Sequence, residues 1–299
     1  MTPAYATQDD QANDVAFAVA QAAPVSLAAT SLSQEDDVLR AELAEGVSVV
    51  LPNEATRPIE LSRNDGALGA RVLVPNATAL GPATLAADGS VTYSGNTSTP
   101  AVNVLASEDQ VRVSTVIASP EQPEQFSYDF GPGASIEVAA DGSATVYRAN
   151  GEGEGVALVE TAVAQVQAPW AVDANGNDVA TEYVVDGSTL TQVVKHSDVD
   201  VAYPVVADPT FDAPLPFQSR VRFDRAETKT IADLGIASLG GAVCGPMAAV
   251  CIAAGVVLAY NAGVAENSNP KRCVQVTLTT APAVPPVWWV DTYLEGPCR

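Results

Sequence analysis

The chain has 299 residues, 47% of them apolar and 17% charged, which is enough for a real core and more than one average domain, since single cores stop growing near ~250 residues. Fourteen Lys and Arg against 36 Asp and Glu leave a formal charge of -22, a field that repels phosphate backbones and anionic headgroups and excludes nucleic acid as a partner. A single His withholds the parts of most zinc enzymes and most histidine-dependent catalysis.

In chain order, Ala4-Tyr5-Ala6 followed by acidic Asp9-Asp10 reads as the end of a secretory signal peptide. Residues 7–32 are rich in Ala, Gln, Ser and Val without a steady period, and are expected to be a tether. Ser33 before Asp36, a Val38/Leu39/Leu43 stripe and a stop at Gly46 predict a short helix. Residues 1–45 are therefore grouped as signal remnant, tether and helix.

From Gly46 the text changes to short alternating apolar runs separated by Gly, Pro, Asn and Asp, the pattern of antiparallel strands. Asp88-Gly89-Ser90, Asp141-Gly142-Ser143 and Asp186-Gly187-Ser188 predict three hairpins with type I′ turns. So many strands without intervening helices call for two sheets face to face, hence an acidic antiparallel β-sandwich over 46–212. The Pro-rich stretch 211–216 marks its end. Residues 1–218 carry a formal -23 and residues 219–299 carry +1.

The remaining 213–299 read as a small α+β domain. Asp224 and Glu227 are spaced as a capping box, Gly240-Gly241 stop that helix, and Met247–Ala262 is apolar on every side, so a helical hairpin is expected over 231–262. Val274–Thr279 and Val287–Leu294 follow as a pair of strands. Leu234–Tyr260 is 27 residues without a charge, and ~20 would cross a bilayer core. Its Gly and Pro interruptions favour a packed hairpin, with membrane association through 231–262 as the alternative.

Cys244, Cys251, Cys273 and Cys298 are an even number without a Cys-x-x-Cys spacing, which predicts two disulfides in an oxidising compartment. Within one helix, seven residues separate Cys244 from Cys251 by ~10 Å, beyond disulfide reach unless Cys244 leaves the helix. The favoured pairing is 244–298 with 251–273 or its converse, with 273–298 as the alternative.

Two segments resemble a family of secreted actinobacterial proteins without an assigned activity. One runs from Ala168-Pro169-Trp170-Ala171-Val172-Asp173-Ala174-Asn175-Gly176 through Thr189-Leu190-Thr191-Gln192-Val193-Val194 to Tyr203-Pro204-Val205-Val206-Ala207-Asp208-Pro209; the other runs from Ala262-Gly263-Val264-Ala265-Glu266 through Asn267-Ser268-Asn269-Pro270-Lys271-Arg272-Cys273. Together they cover about half the chain. The resemblance implies export from a Gram-positive cell, and no catalytic residue is carried over from it.

Candidate chemistry is thin. His196 is the one possible imidazole base, no Gly-x-Ser-x-Gly elbow accompanies it, and a surface His explains it. Asp173-Ala174-Asn175-Gly176-Asn177-Asp178 opens like a Ca²⁺ loop, but Asp178 stands where Gly is needed and Val184 where a bidentate Glu belongs, so a turn fits better. An irregular Ca²⁺ site elsewhere is the alternative to no cofactor. Glu35-Asp36-Asp37 and Glu152/Glu154 read as solvated surface. Trp288, Trp289 and Tyr293 are candidate contact aromatics, one tryptophan facing in and one out. The expectation is a secreted, non-catalytic binding or surface-associated protein whose partner is a protein or cell-envelope component. A bacteriocin-like, membrane-active effector comes second and an extracellular hydrolase third.

Overall fold

The structure, a computed structural model, describes residues 7–64, 69–149, 157–197, 200–212, 218–240, 243–280, 285–294 and 296–298. The suspected signal remnant and the Glu152/Glu154 pair lie outside these. Strands hold 41% of the chain and helices 21%, so it is mainly β and antiparallel, with a small disulfide-bearing helical region. Two compact units are formed: Met1–Val146 with Val163–Leu215, and Tyr147–Ala162 with Pro216–Arg299. Residues 147–162, expected in the sandwich, thus group with the C-terminal part.

The elements are α1 (Gln8–Ala22), β1 (Ser33–Glu35), β2 (Val38–Glu42), β3 (Val47–Pro52), β4 (Ile59–Arg63), β5 (Ala70–Val72), β6 (Ala83–Leu85), β7 (Val91–Tyr93), β8 (Ala101–Ala106), β9 (Gln110–Ile117), β10 (Gln125–Asp129), β11 (Ala134–Val138), β12 (Ala144–Ala149), β13 (Leu158–Val166), β14 (Ala171–Val172), β15 (Thr181–Asp186), β16 (Thr189–Val194), β17 (Val205–Ala207) and β18 (Thr210–Asp212). After these come β19 (Gln218–Arg222), α2 (Arg225–Leu234), α3 (Ala248–Ala253), α4 (Gly255–Glu266), β20 (Cys273–Thr279) and β21 (Val287–Tyr293).

In the first unit β1 to β5 form a meander, β10-β16-β15 form a three-stranded sheet, and β6-β7-β8-β9 continue into β17 and β18, which both pair with β9. The three sheets share one core: Leu51 and Leu61 from the meander, Phe126, Tyr128 and Leu190 from the small sheet, and Val104, Val113 and Phe211 from the third. Each such side chain contributes roughly 1.5–3 kcal/mol on burial. Along β16 the expected alternation holds, with Leu190, Gln192 and Val194 buried.

All three Asp-Gly turns are present with positive φ at Gly89, Gly142 and Gly187, but Asp88, Asp141 and Asp186 lack the positive φ that type I′ requires. In the first two, the amides of Gly89 and Gly142 donate to the carbonyls of Ala86 and Ala139, and the glycine follows as a bulge. The Asp88 and Asp141 carboxylates accept from the amide and hydroxyl of Ser90 and Ser143. In the third, Asp186 pairs with Thr189, leaving Gly187-Ser188 as a two-residue loop with Gly first, as type II′ needs.

Two expectations at the start of the chain are corrected. Residues 33–42 form the β1–β2 hairpin instead of a helix, with one 3₁₀ turn at 44–46, because Asp36 at φ 48 turns the chain back and Glu35 pairs with Val38. Residues 8–22, expected to be tether, form α1, capped reciprocally by Thr7 and Asp10. Its Ala12, Ala16 and Val19 are buried; Ala12 and Ala16 pack with Ala86, and Val19 with Val116 and Val206. Asn13 Oδ1 also accepts from the Ala87 amide at 2.8 Å. An Ala stripe buries little area per residue, so it shows faintly in a hydropathy pattern while still allowing a close helix-to-sheet approach.

In the second unit Leu158–Thr161 pairs with β19, β19 with β20 and β20 with β21. Phe223, Ile231, Met247, Leu258, Val274 and Val276 form its core. The capping box at Asp224 and Glu227 is made, with both reciprocal bonds at 2.8–2.9 Å. The stop comes earlier than expected, at Gly235 (φ 81), after which 236–239 form one 3₁₀ turn. α2 packs against α4. Met247–Ala262 is not one helix: α3 and α4 meet near Ala254, and the segments Gly245–Ala253 and Gly255–Glu266 are bent by 90°.

Candidate functional site

The bend in the second unit leaves one helical face uncovered. Leu258, Ala262 and Ala265 point α4 into the core, while Val256, Tyr260 and Val264 recur every four residues on its opposite side, and Ile252 is exposed on α3 across the bend. Val256 is 86% exposed, and Ile252 and Tyr260 more than 70%. Val257, on the same helix, is 43% exposed. Residues 234–265 contain no Asp, Glu, Lys or Arg. An open depression of about 620 Å³ runs beside Tyr260, Gly263 and Val264, edged by Asn267 and Ser268. Contiguous exposed apolar surface of this kind is uncommon on a monomer and marks contact sites. Among the described residues no single helix is long and apolar enough to cross a membrane; the bent pair passes by length and composition only when taken together.

The four cysteines brace this unit, in a pairing other than the favoured one. Cys244 joins Cys251 and Cys273 joins Cys298. The short-range bridge forms because Cys244 lies ahead of the 3₁₀ turn 245–247, outside α3, which brings the two Cα atoms to 6.5 Å. Cys273 starts β20 directly opposite Tyr293, so the chain leaving β21 returns Cys298 to it.

Of the candidate aromatics, Trp288 is half-buried against the core and Trp289 is 39% exposed on the other face of β21. Tyr293 is buried and its hydroxyl donates to the Phe223 carbonyl at 2.7 Å. Burial pushes the Tyr293 phenol well up, so it stays a neutral donor. The three aromatics do not converge on one pocket.

Beside Tyr293 lies a buried charge cluster that sequence reasoning missed. Arg220 Nε and Arg222 Nη1 reach the same Glu160 Oε2 at 2.7 and 3.5 Å. The Arg220 guanidinium sits 3.5 Å over the Tyr147 ring, and that of Arg222 sits 4.4 Å over Tyr293. All three ionic side chains are at least 93% buried. Arg-Val-Arg in a strand reads as a solvated edge, and only the placement of Glu160 across β19 shows otherwise.

In the first unit, His196 is fully buried, which corrects the expected surface position. Nε2 meets the Pro123 carbonyl at 2.9 Å, which assigns it the proton, and Nδ1 meets the Tyr203 hydroxyl at 3.0 Å. With both ring nitrogens engaged it serves as a core strut. Asp173 anchors its turn: its carboxylate accepts from the amides of Asn175, Asn177 and Ala202 and from Asn177 Nδ2. The Asn177 amide leads in holding its pKa below the ordinary range. Among the described residues no group of three or more His, Cys, Asp and Glu is placed to hold a metal ion.

A second cluster unforeseen in the sequence surrounds Asp208, between β17 and β18. Asp208 is fully buried, its Oδ2 accepts from the Thr210 hydroxyl, and its amide donates to the Trp170 carbonyl at 3.4 Å. Burial pushes its carboxyl up to about 7, opposed by the Thr210 bond and by the charge of Arg112. Arg112 sits 5.8 Å from the Trp170 ring and donates to the Val25 carbonyl.

No protein-family model matches the chain, and no curated protein matches it. Among solved structures it has a likeness to a GH92-family glycosyl hydrolase, ccman5, at 12% identity and TM-score 0.25, over 62% of this chain and 30% of that one. The chain thus spans under a third of that enzyme's length. A likeness at this level carries no argument about fold or activity.

Proposed function

We propose that the protein is a secreted or cell-surface binding protein that works by contact and not by turnover; the resemblance to secreted actinobacterial proteins implies the export. The observation that carries this reading is the uncharged, exposed α4 face of Val256, Tyr260 and Val264, with Ile252 exposed on α3 before the bend. Two disulfides fit an oxidising location. His196, with both nitrogens engaged in the core, is poorly suited to act as a base. The partner is an apolar surface on a protein or cell-envelope component. The membrane-active reading stays second, favoured by the bent apolar pair Gly245–Ala253 and Gly255–Glu266.

The test uses full-length protein with Val256→Ser and Tyr260→Ser together. Each side chain contributes ~1.5–3 kcal/mol when fully buried by a partner, so binding to isolated cell envelopes should weaken about a hundredfold or more. Unfolding should be unchanged, because both side chains are exposed. Dye release from liposomes that the same pair abolishes would move the assignment to the membrane-active reading. Undiminished envelope binding by the variant would refute both.

A further inference from the structure

Twenty-one prolines occur in the chain, and one of them alone, Pro209, follows an aspartate. That aspartate is the fully buried Asp208. The Asp208–Pro209 bond lies between β17 and β18, both of which are held by β9: Ala207 pairs with Thr115 and Thr210 with Arg112. The Val113 amide donates to the Pro209 carbonyl at 2.9 Å, which fixes the residue just after the bond. On the carboxyl itself only Oδ2 is held, by Thr210; Oδ1 has no hydrogen-bond partner among the described residues. The register places Ser114 opposite Asp208, and its buried hydroxyl is also without a partner among the described residues, as is the hydroxyl of Tyr183. The groups acting on the Asp208 carboxyl are Thr210, Arg112 on β9 and the main chain and side chain of Trp170, and its charge in turn raises the phenols of Tyr128 on β10 and Tyr183 on β15.

From this geometry we infer that Asp208–Pro209 is a self-cleavage site, at which the Asp208 side chain cuts its own main chain. One carboxyl oxygen attacks the Asp208 carbonyl carbon. The C–N bond to Pro209 breaks, its electron pair goes to the proline nitrogen, and that nitrogen takes up the carboxyl proton and leaves as a secondary amine. The chain now ends at 208 in a five-membered cyclic anhydride. Water opens the anhydride and restores Asp208 with a free side-chain carboxyl and a terminal carboxyl.

Three features support the step. Nucleophile and carbonyl belong to one residue, so their encounter carries the advantage of intramolecular reaction. A buried carboxyl lacks the water shell that blunts a carboxylate in solution. A carboxyl titrating near 7 also keeps a proton for the leaving nitrogen at near-neutral pH, which an ordinary aspartic acid does not. The products are residues 1–208 and 209–299. Both disulfides lie beyond the cut, so no disulfide links the fragments, which stay together by strand pairing, ion pairs and core packing. Cleavage would therefore free the 209–299 chain, with its exposed helix face, from covalent attachment.

The experiment incubates freshly purified full-length protein between pH 5 and 8 and follows intact mass and N-terminal sequencing. The expected result is a new N-terminus at Pro209 and two fragments whose masses sum to the intact chain plus one water. They should separate on a denaturing gel without reductant and co-elute under native conditions. Pro209→Ala keeps the carboxyl but replaces the proline leaving group, and Asp208→Asn removes the carboxylic acid; both should abolish the fragments. The same protein held unfolded in denaturant at the same pH should cut far more slowly. Absence of the Pro209 terminus in the folded wild type would overturn the proposal. Equal rates in folded and unfolded protein, or fragments that persist in Asp208→Asn, would also overturn it.

Discussion

Replacing Glu160 by Gln tests the physics of the second unit most directly. The carboxylate is 98% buried and shared by Arg220 and Arg222. Removing one partner of a buried ionic cluster costs about 3–5 kcal/mol, because the remaining charges stay desolvated with less compensation. The Tyr147 and Tyr293 rings still face the two guanidiniums and retain up to about 2 kcal/mol each, so the lower half of that range is expected. Lys229 and Asp233, both more than half exposed, supply the internal control, worth no more than about 0.5 kcal/mol. Urea unfolding followed by Trp288 and Trp289 fluorescence reports on the strand beside the cluster. A loss below about 1 kcal/mol for Glu160→Gln, similar to that for Asp233→Asn, would refute the view that Glu160 organises two buried cations.

Other outcomes follow from the same coordinates. Loop-closure entropy assigns about 3.5 kcal/mol to the 25-residue Cys273–Cys298 loop and about 2.4 kcal/mol to the 7-residue Cys244–Cys251 loop, so the double Ser replacement of the first pair should lower the unfolding midpoint more. Non-reducing peptide mapping checks the pairing. Asp208, raised to about 7 from 3.8, binds more protons folded than unfolded between those values. Its stabilising contribution is therefore complete below pH ~4 and lost as pH rises through ~7, by at most about 4 kcal/mol. On uncut protein the stability difference between wild type and Asp208→Asn should follow that curve, and a flat difference would contradict it. His196→Ala should cost roughly 2–4 kcal/mol in thermal unfolding, since it opens a cavity and strands the Pro123 carbonyl, while the Tyr203 hydroxyl keeps its bond to the main-chain carbonyl of residue 196.

Local chemistry was legible wherever a residue's role depends on its chain neighbours. The Asp224/Glu227 box, the β20 and β21 strands, the alternation along β16 and the presence of three Asp-Gly turns depend on spacings of two to four residues. Even there the turn type was decided by which φ angles the flanking strands impose at Asp88, Asp141 and Asp186. The mainly β class and the disulfide-bearing helical region were likewise visible from composition and period.

What required tertiary structure was every relation across distance. Whether Ala12, Ala16 and Val19 are tether or core depends on Ala86, Val116 and Val206 being there to receive them. Cys244 pairs with Cys251 because a turn lies between them, a matter of backbone path and not of spacing. The role of His196 is set by Pro123 and Tyr203, and the charges of Arg220 and Arg222 are buried only because Glu160 is brought to them. Burial is a property of the folded neighbourhood: the sequence by itself determined which groups are charged, apolar or turn-forming, and the packing of distant segments decided which of them lose water.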